Sequence, residues 1–175
     1  YFNERAIATQ QTGFVLIAQM RSWLPDAVGG ILWFGVDDAN TAVLTPMYAS
    51  ITEIPECYRR GNGSMTEFSW TSAFWIHNWV ANMAYNRYEP MIRDIRPVQK
   101  ELEDSYVDLV KNTDAKALEL LKSSPAQATA YLTEVCGKVA NEATARWKKL
   151  GEYLLVKYMD GNVKKEKDGK FEENG

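Results

Sequence analysis

The chain has 175 residues, 46% of them hydrophobic and 25% charged, with a formal net charge of −3. That length and balance belong to a globular domain able to bury a sizeable core, and they supply no electrostatic pull toward nucleic acid. No run of about 18 apolar residues offers a membrane-spanning helix, and the two cysteines, Cys57 and Cys136, form neither a CxxC pair nor a disulfide framework.

Residues 5–9 have the composition of a short strand. Residues 13–20 are a nearly unbroken apolar run, which predicts a strand buried on both faces. Pro25-Asp26 and Gly29-Gly30 mark residues 21–30 as a loop, and residues 30–36 as the next strand. Asp37-Asp38-Ala39-Asn40 is turn chemistry, because short polar side chains bond their own backbone and tolerate left-handed dihedrals. A third strand follows over residues 42–47, and the short connections favour antiparallel pairing.

Residues 49–68 carry Pro55, Gly61 and Gly63 and read as an irregular connection. Ser69 or Ser72 can cap the helix that follows. Its apolar positions, Trp70, Phe74, Ile76, Trp79, Val80 and Met83, predict burial on most sides. Pro90 suits the first turn of a second helix, whereas Pro97 predicts a kink or a restart. Residues 113–122 read as a separate short helix. Pro125 then opens a long one, with the stripe Ala128, Leu132, Val135, Val139, Ala143, Trp147, Leu150, Leu154 and Tyr158. Gly137 and Gly151 each weaken that helix by about 1 kcal/mol relative to alanine, so packing must hold it. The division is strands over 1–48, connection over 49–68, helices over 69–160 and a charged surface tail over 161–175.

A complete catalytic set is not apparent. His77, the single histidine, sits inside the aromatic helix, where a satisfied core residue is the better reading than a triad member. Neither zinc spacing nor a calcium loop occurs, and Gly61-Asn62-Gly63 is too short for a phosphate-binding loop. Cys57 lies beside Arg59 and Arg60, which could lower a thiol pKa, but no base is near and the structural reading is favoured. Cys136 falls on the long apolar stripe. Arg5 begins a strand, where its fork of donors can hold a carboxylate or an oxyanion, against the plainer reading of a solvent-facing residue. Thr9-Gln10-Gln11-Thr12 can bond a peptide-like ligand or the neighbouring loop. Asp94 with Arg96, and Lys100-Glu101 with Glu103-Asp104, read as a solvated helix face. The aromatic stripe from Trp70 to Trp79 reads as core.

Several stretches together carry a likeness: Glu4-Arg5-Ala6-Ile7-Ala8-Thr9-Gln10-Gln11, Gly29-Gly30-Ile31-Leu32-Trp33-Phe34-Gly35, Thr45-Pro46-Met47-Tyr48, Phe68-Ser69-Trp70-Thr71-Ser72-Ala73-Phe74-Trp75 and Asp94-Ile95-Arg96-Pro97-Val98-Gln99. They resemble the bacterial cysteine dipeptidases of the N-terminal-nucleophile hydrolase superfamily, relatives of secernins and of bile salt and penicillin V acylases. The likeness runs from about residue 1 to 160 and looks like the C-terminal portion of the family's chain.

The resemblance implies an α+β fold: part of an αββα sandwich of antiparallel strands, followed by a mostly helical segment. It implies a thiol nucleophile at a mature N-terminus, with its own α-amino group as base. Residue 1 is Tyr, and neither cysteine matches that position, so the nucleophile is expected outside this chain and the isolated residues are expected to be inactive. Arg5 resembles an arginine that lies beside the nucleophile in the acylase relatives and would orient it or stabilise developing negative charge. The implied partners are a dipeptide substrate and a missing N-terminal half. Neither nucleic acid nor membrane is among them, and no cofactor or metal is called for. The compartment stays open between bacterial cytoplasm and export. The alternatives are another amide hydrolase of the superfamily, of bile salt or penicillin V acylase type, and a non-catalytic α+β binding module. An unpaired strand edge predicts self-association of the chain alone, a homo-oligomer, or dependence on the missing half.

Overall fold

The computed structural model describes residues 6–172. Its fold is α+β: a three-stranded antiparallel sheet in the order β1-β2-β3, backed by long helices. β1 (Phe14–Met20) and β2 (Gly30–Val36) pair along their whole length, from Phe14 opposite Val36 to Met20 opposite Gly30. β3 (Thr45–Tyr48) pairs with the other edge of β2. The β1–β2 connection holds one short helix, α1 (Asp26–Gly29), inside the stretch expected to be loop. The turn after β2 is built as its composition predicts. Asp37 takes a φ of 66°, and the Asp38 carboxylate accepts from the Thr41 N–H at 3.1 Å and the Thr41 hydroxyl at 2.9 Å.

Two expectations for the first strands fail. Residues 6–9 form bends and a turn, closed by the Thr12 N–H on the Thr9 carbonyl at 3.1 Å, and not a strand. β1 is a strand, but Phe14, Leu16, Ile17 and Met20 are all exposed. The reason is positional. Among the described residues β1 pairs with β2 alone, and the helices pack mainly beneath β2 and β3.

α2 (Ala73–Asn86) starts after Ser72; Ser69 instead donates its hydroxyl to the Asn62 side-chain oxygen at 2.6 Å. α3 (Tyr88–Ser123) runs unbroken through Pro97 and through residues 113–122. Its buried positions Met91, Ile95 and Gln99 flank Pro97, and Tyr106, Val110, Thr113 and Ala117 continue the stripe through the second predicted break, so packing of one face carries the helix past both. α4 (Pro125–Lys157) opens at Pro125 as expected, and the sequence reading missed its cap: the Ser124 hydroxyl accepts from the Gln127 N–H at 3.3 Å. Its predicted stripe is buried apart from the half-buried Val135. Gly151 is a packing requirement: a Cβ there would lie closer to three ring carbons of Trp79 than real contacts allow, whereas Gly137 faces open space.

One core lies under the sheet, with Val28, Ile31, Met47, Tyr48, Leu132 and Cys136; the other joins the helices around Ile76, Val80, Ile95, Trp147, Leu150 and Leu154. The helix face expected to be solvated instead docks on the turn after β2. Arg96 donates to the Asn40 carbonyl at 2.8 Å, the Gln99 amide to the Ala42 carbonyl at 2.7 Å, and Glu103 accepts the Leu44 N–H at 3.1 Å. These loop groups have no ladder partner, and the side chains at 96, 99 and 103 satisfy them. Asp94 accepts from Lys157 at 2.8 Å and from the Tyr158 hydroxyl at 2.7 Å, while Lys100 and Asp104 pair in solvent as expected. The charged residues after 161 are not plain tail. β4 (Glu166–Lys167) and β5 (Lys170–Phe171) make a hairpin around Asp168 and Gly169, both at positive φ, and Phe171 lies 5.3 Å from the Tyr153 ring.

Candidate functional site

The end of β2, the irregular segment and the start of α2 bound a cavity of about 310 Å³, walled by Phe34, Val36, Met65, Phe74 and Trp75, with Arg59, Asn62, Ser64 and Ser72 as polar members. Its parts are fixed by their own bonding. Phe34 meets Tyr58 edge-on at 5.1 Å, and the Tyr58 hydroxyl bonds the Thr45 hydroxyl at 2.9 Å. The Trp75 indole N–H donates to the Ser64 carbonyl at 3.0 Å and fastens the rim. Gly63 has a φ of +79°, and a Cβ there would meet the Trp75 ring, so glycine lets this loop close over the indole. The aromatic stripe is therefore only partly core. Ile76 and Val80 are buried, but Phe68 and Trp70 are exposed and pack on one another at 4.6 Å.

Asp37 lies next to Val36 of the cavity wall. Its side chain is held from α2 by Asn78, whose amide donates at 2.9 Å; Asn78 stands one helical turn beyond Phe74, on the same face. Asp37 is 1% exposed and its second carboxylate oxygen has no partner among the described residues. Burial raises its pKa above the usual carboxylate range, against the smaller opposite pull of Asn78 and the Asp38 N–H. Because the folded value exceeds the unfolded one, its contribution to stability is complete below the unfolded pKa and is lost as pH rises through the folded value. Asp37→Asn keeps an acceptor for Asn78 and tolerates positive φ. It is expected to gain stability over the parent at pH 8 and to lose that advantage toward pH 3.5, read by urea unfolding. A loss at pH 8 would contradict this.

Neither thiol is prepared for attack. Cys57 is buried in the 3₁₀ turn Glu56–Tyr58, and desolvation raises its pKa; its thiol neighbours the Thr144 hydroxyl rather than a base. Arg59, expected to help ionise it, pairs with Glu56 at 3.0 Å instead. Cys136 is a core residue, its sulfur accepting the Tyr48 N–H at 3.3 Å, and burial pushes its thiol up to about 11. His77 is likewise core, 4% exposed and stacked on Trp147 with ring centroids 5.0 Å apart. Among the described residues no three His, Cys, Asp or Glu side chains gather in a metal-binding group.

Arg5 lies outside the described residues. Thr9 and Thr12 bond each other's backbone, the local reading of that cluster. Sequence reasoning missed Arg21. It is 7% exposed, donates to the carbonyls of Val28 at 2.6 Å and Gly29 at 3.3 Å, and forks onto both carboxylate oxygens of Asp114. The Tyr48 hydroxyl donates to the same carboxylate at 2.6 Å, and burial followed by Asp114 raises the phenol pKa. This network ties the β1–β2 connection and β3 to α3.

The chain is 30% identical over 143 residues to a protein of Latilactobacillus sakei called "Probable dipeptidase", across 80% of this chain and 28% of that protein. The chain thus spans little more than a quarter of the length of the curated relative it matches. Residues 2–101, from the first turns through the cavity and the docking face of α3, match peptidase family C69. With more than half of its residues inside that match, the chain belongs to peptidase family C69.

Proposed function

We propose that these residues form part of the scaffold and substrate pocket of a cysteine-type dipeptidase whose nucleophile, an N-terminal cysteine, lies on polypeptide outside this chain. The observation that carries the reading is a peptidase-family chain whose two thiols are both buried, with pKa values raised rather than lowered. A thiol nucleophile needs the opposite environment. The 30% identity to a protein called "Probable dipeptidase" supports peptide cleavage over other amides. The remaining polypeptide is the partner in this reading, and the exposed apolar side chains of β1 offer it a face to pack on. Arg5 is proposed to orient the nucleophile or to stabilise the oxyanion.

The test compares the longer polypeptide, processed to its N-terminal cysteine, with this chain. The longer form is expected to cleave members of a dipeptide panel and to lose activity on alkylation with iodoacetamide; this chain alone is expected to cleave none. Within the longer form Arg5→Ala is expected to lower kcat/KM by about 10²–10³. Peptide cleavage by the 175-residue chain alone would overturn the reading, and turnover of penicillin V or bile acid conjugates in preference to dipeptides would change the substrate.

A further inference from the structure

We propose that the cavity at the start of α2 takes an apolar residue with a free carboxylate, its charge at the amino end of α2 and its side chain in the apolar chamber. Three features meet there. First, the helix is left open. α2 has 14 residues, and the backbone N–H groups of Ala73, Phe74 and Trp75 find no acceptor among the described residues. Such groups, with the aligned peptide dipoles behind them, favour an anion. Second, Ser72 occupies the capping position but makes no cap bond; it is 6% exposed, lines the cavity, and its hydroxyl has no hydrogen-bond partner among the described residues. A serine in that position normally satisfies the first turn itself. Here both the donors of the turn and the hydroxyl are left for something else. Third, the chamber beyond is mainly apolar, while Arg59 at its edge is held by an ion pair with Glu56 whose side chains are more than half exposed and by a long bond to the Ile54 carbonyl at 3.4 Å. Exposed pairs contribute little, so the guanidinium can turn to a ligand carboxylate at small cost.

The shape narrows the ligand. About 310 Å³ is at the small end of ligand pockets and suits one aliphatic or aromatic residue rather than a length of chain. A phosphate would find one arginine and mostly apolar walls, and a neutral apolar molecule would leave the helix donors and Ser72 unused. The C-terminal residue of a short peptide has both required parts. That identification of the ligand rests on the peptidase reading, whereas the binding itself does not.

Calorimetric titration of the 175-residue chain tests it with three probes: N-acetyl-L-leucine, its amide, and N-acetylglycine. The leucine acid is expected to bind about tenfold or more tightly than the amide, through the charged contacts, and than the glycine acid, through the buried side chain. Ser72→Ala and Arg59→Gln are each expected to weaken the acid about three- to tenfold and to leave the amide unchanged. Ser72 makes no cap bond and Arg59 is exposed, so both variants should fold, with circular dichroism as the check. Equal affinity for acid and amide, no saturable binding at millimolar acid by folded protein, or parental affinity in both variants would overturn the proposal. Binding by this chain without peptide cleavage by the longer polypeptide would sink the dipeptidase reading and leave this site standing. Cleavage without binding would do the reverse.

Discussion

Replacing Asp114 with alanine is expected to cost the fold about 3–5 kcal/mol, because it leaves the Arg21 guanidinium buried without its counter-charge. Arg21 is 7% exposed and the Asp114 side chain 16%, so water cannot readily take the place of the carboxylate. The same substitution removes the acceptor of the Tyr48 hydroxyl, whose other acceptor, the Val110 carbonyl, stands farther off at 3.4 Å. For a chain of this size, about 2–4 °C of Tm per kcal/mol translates the loss into a Tm lower by about 6–20 °C. The double variant Arg21→Met with Asp114→Leu is expected to recover much of the loss, since apolar replacement of both partners removes the stranded charge. A single variant within about 1 kcal/mol of the parent would show that the pair does not hold the β1–β2 connection to α3.

The second large effect is acid sensitivity centred on His77. Burial lowers its pKa to about 3, and its Nδ1, like the indole nitrogen of the stacked Trp147, has no partner among the described residues. In the unfolded chain the ring takes a proton near pH 6.5, while in the folded chain it stays neutral down to about 3. The folded value is depressed, so the stability is whole above pH 6.5 and is lost as pH falls toward 3. Between pH 6.5 and 4.5 the loss is about 2 kcal/mol. His77→Phe keeps a flat ring against Trp147 and removes the proton. The difference between parent and variant is therefore expected to grow as pH falls over that interval, as measured by urea unfolding at each pH. Parallel acid limbs would mean that His77 is not buried as a neutral ring.

The antiparallel sheet was legible because its strands are apolar runs separated by unmistakable turn residues, and α4 because its proline and its stripe agree. What was lost shows where local pattern ends. An apolar run says that β1 seeks cover, but not whether the cover comes from these same residues. Pro97 predicts a break only if nothing else holds the helix, and the buried face through Met91, Ile95 and Gln99 does. Arg21 looked like an ordinary loop charge because its partner is 93 residues away. The Asp168-Gly169 turn was overlooked because charged neighbours hid the hairpin signal. For the candidate site, the sequence supplied the aromatics and the serine but not the enclosure, which needs the fold to bring the end of β2 to the start of α2. Asp37, buried with one carboxylate oxygen held by Asn78, could be read only as a turn former.

The contact of Gly151 with Trp79 makes two positions on different helices conditional on each other. While the indole occupies that space, any side chain at 151 must displace it; once residue 79 is smaller, the glycine loses its reason and alanine becomes the better helix former. Drift at either site is thus blocked singly and permitted jointly, so variants that retain this helix pairing should trade the two residues as a couple.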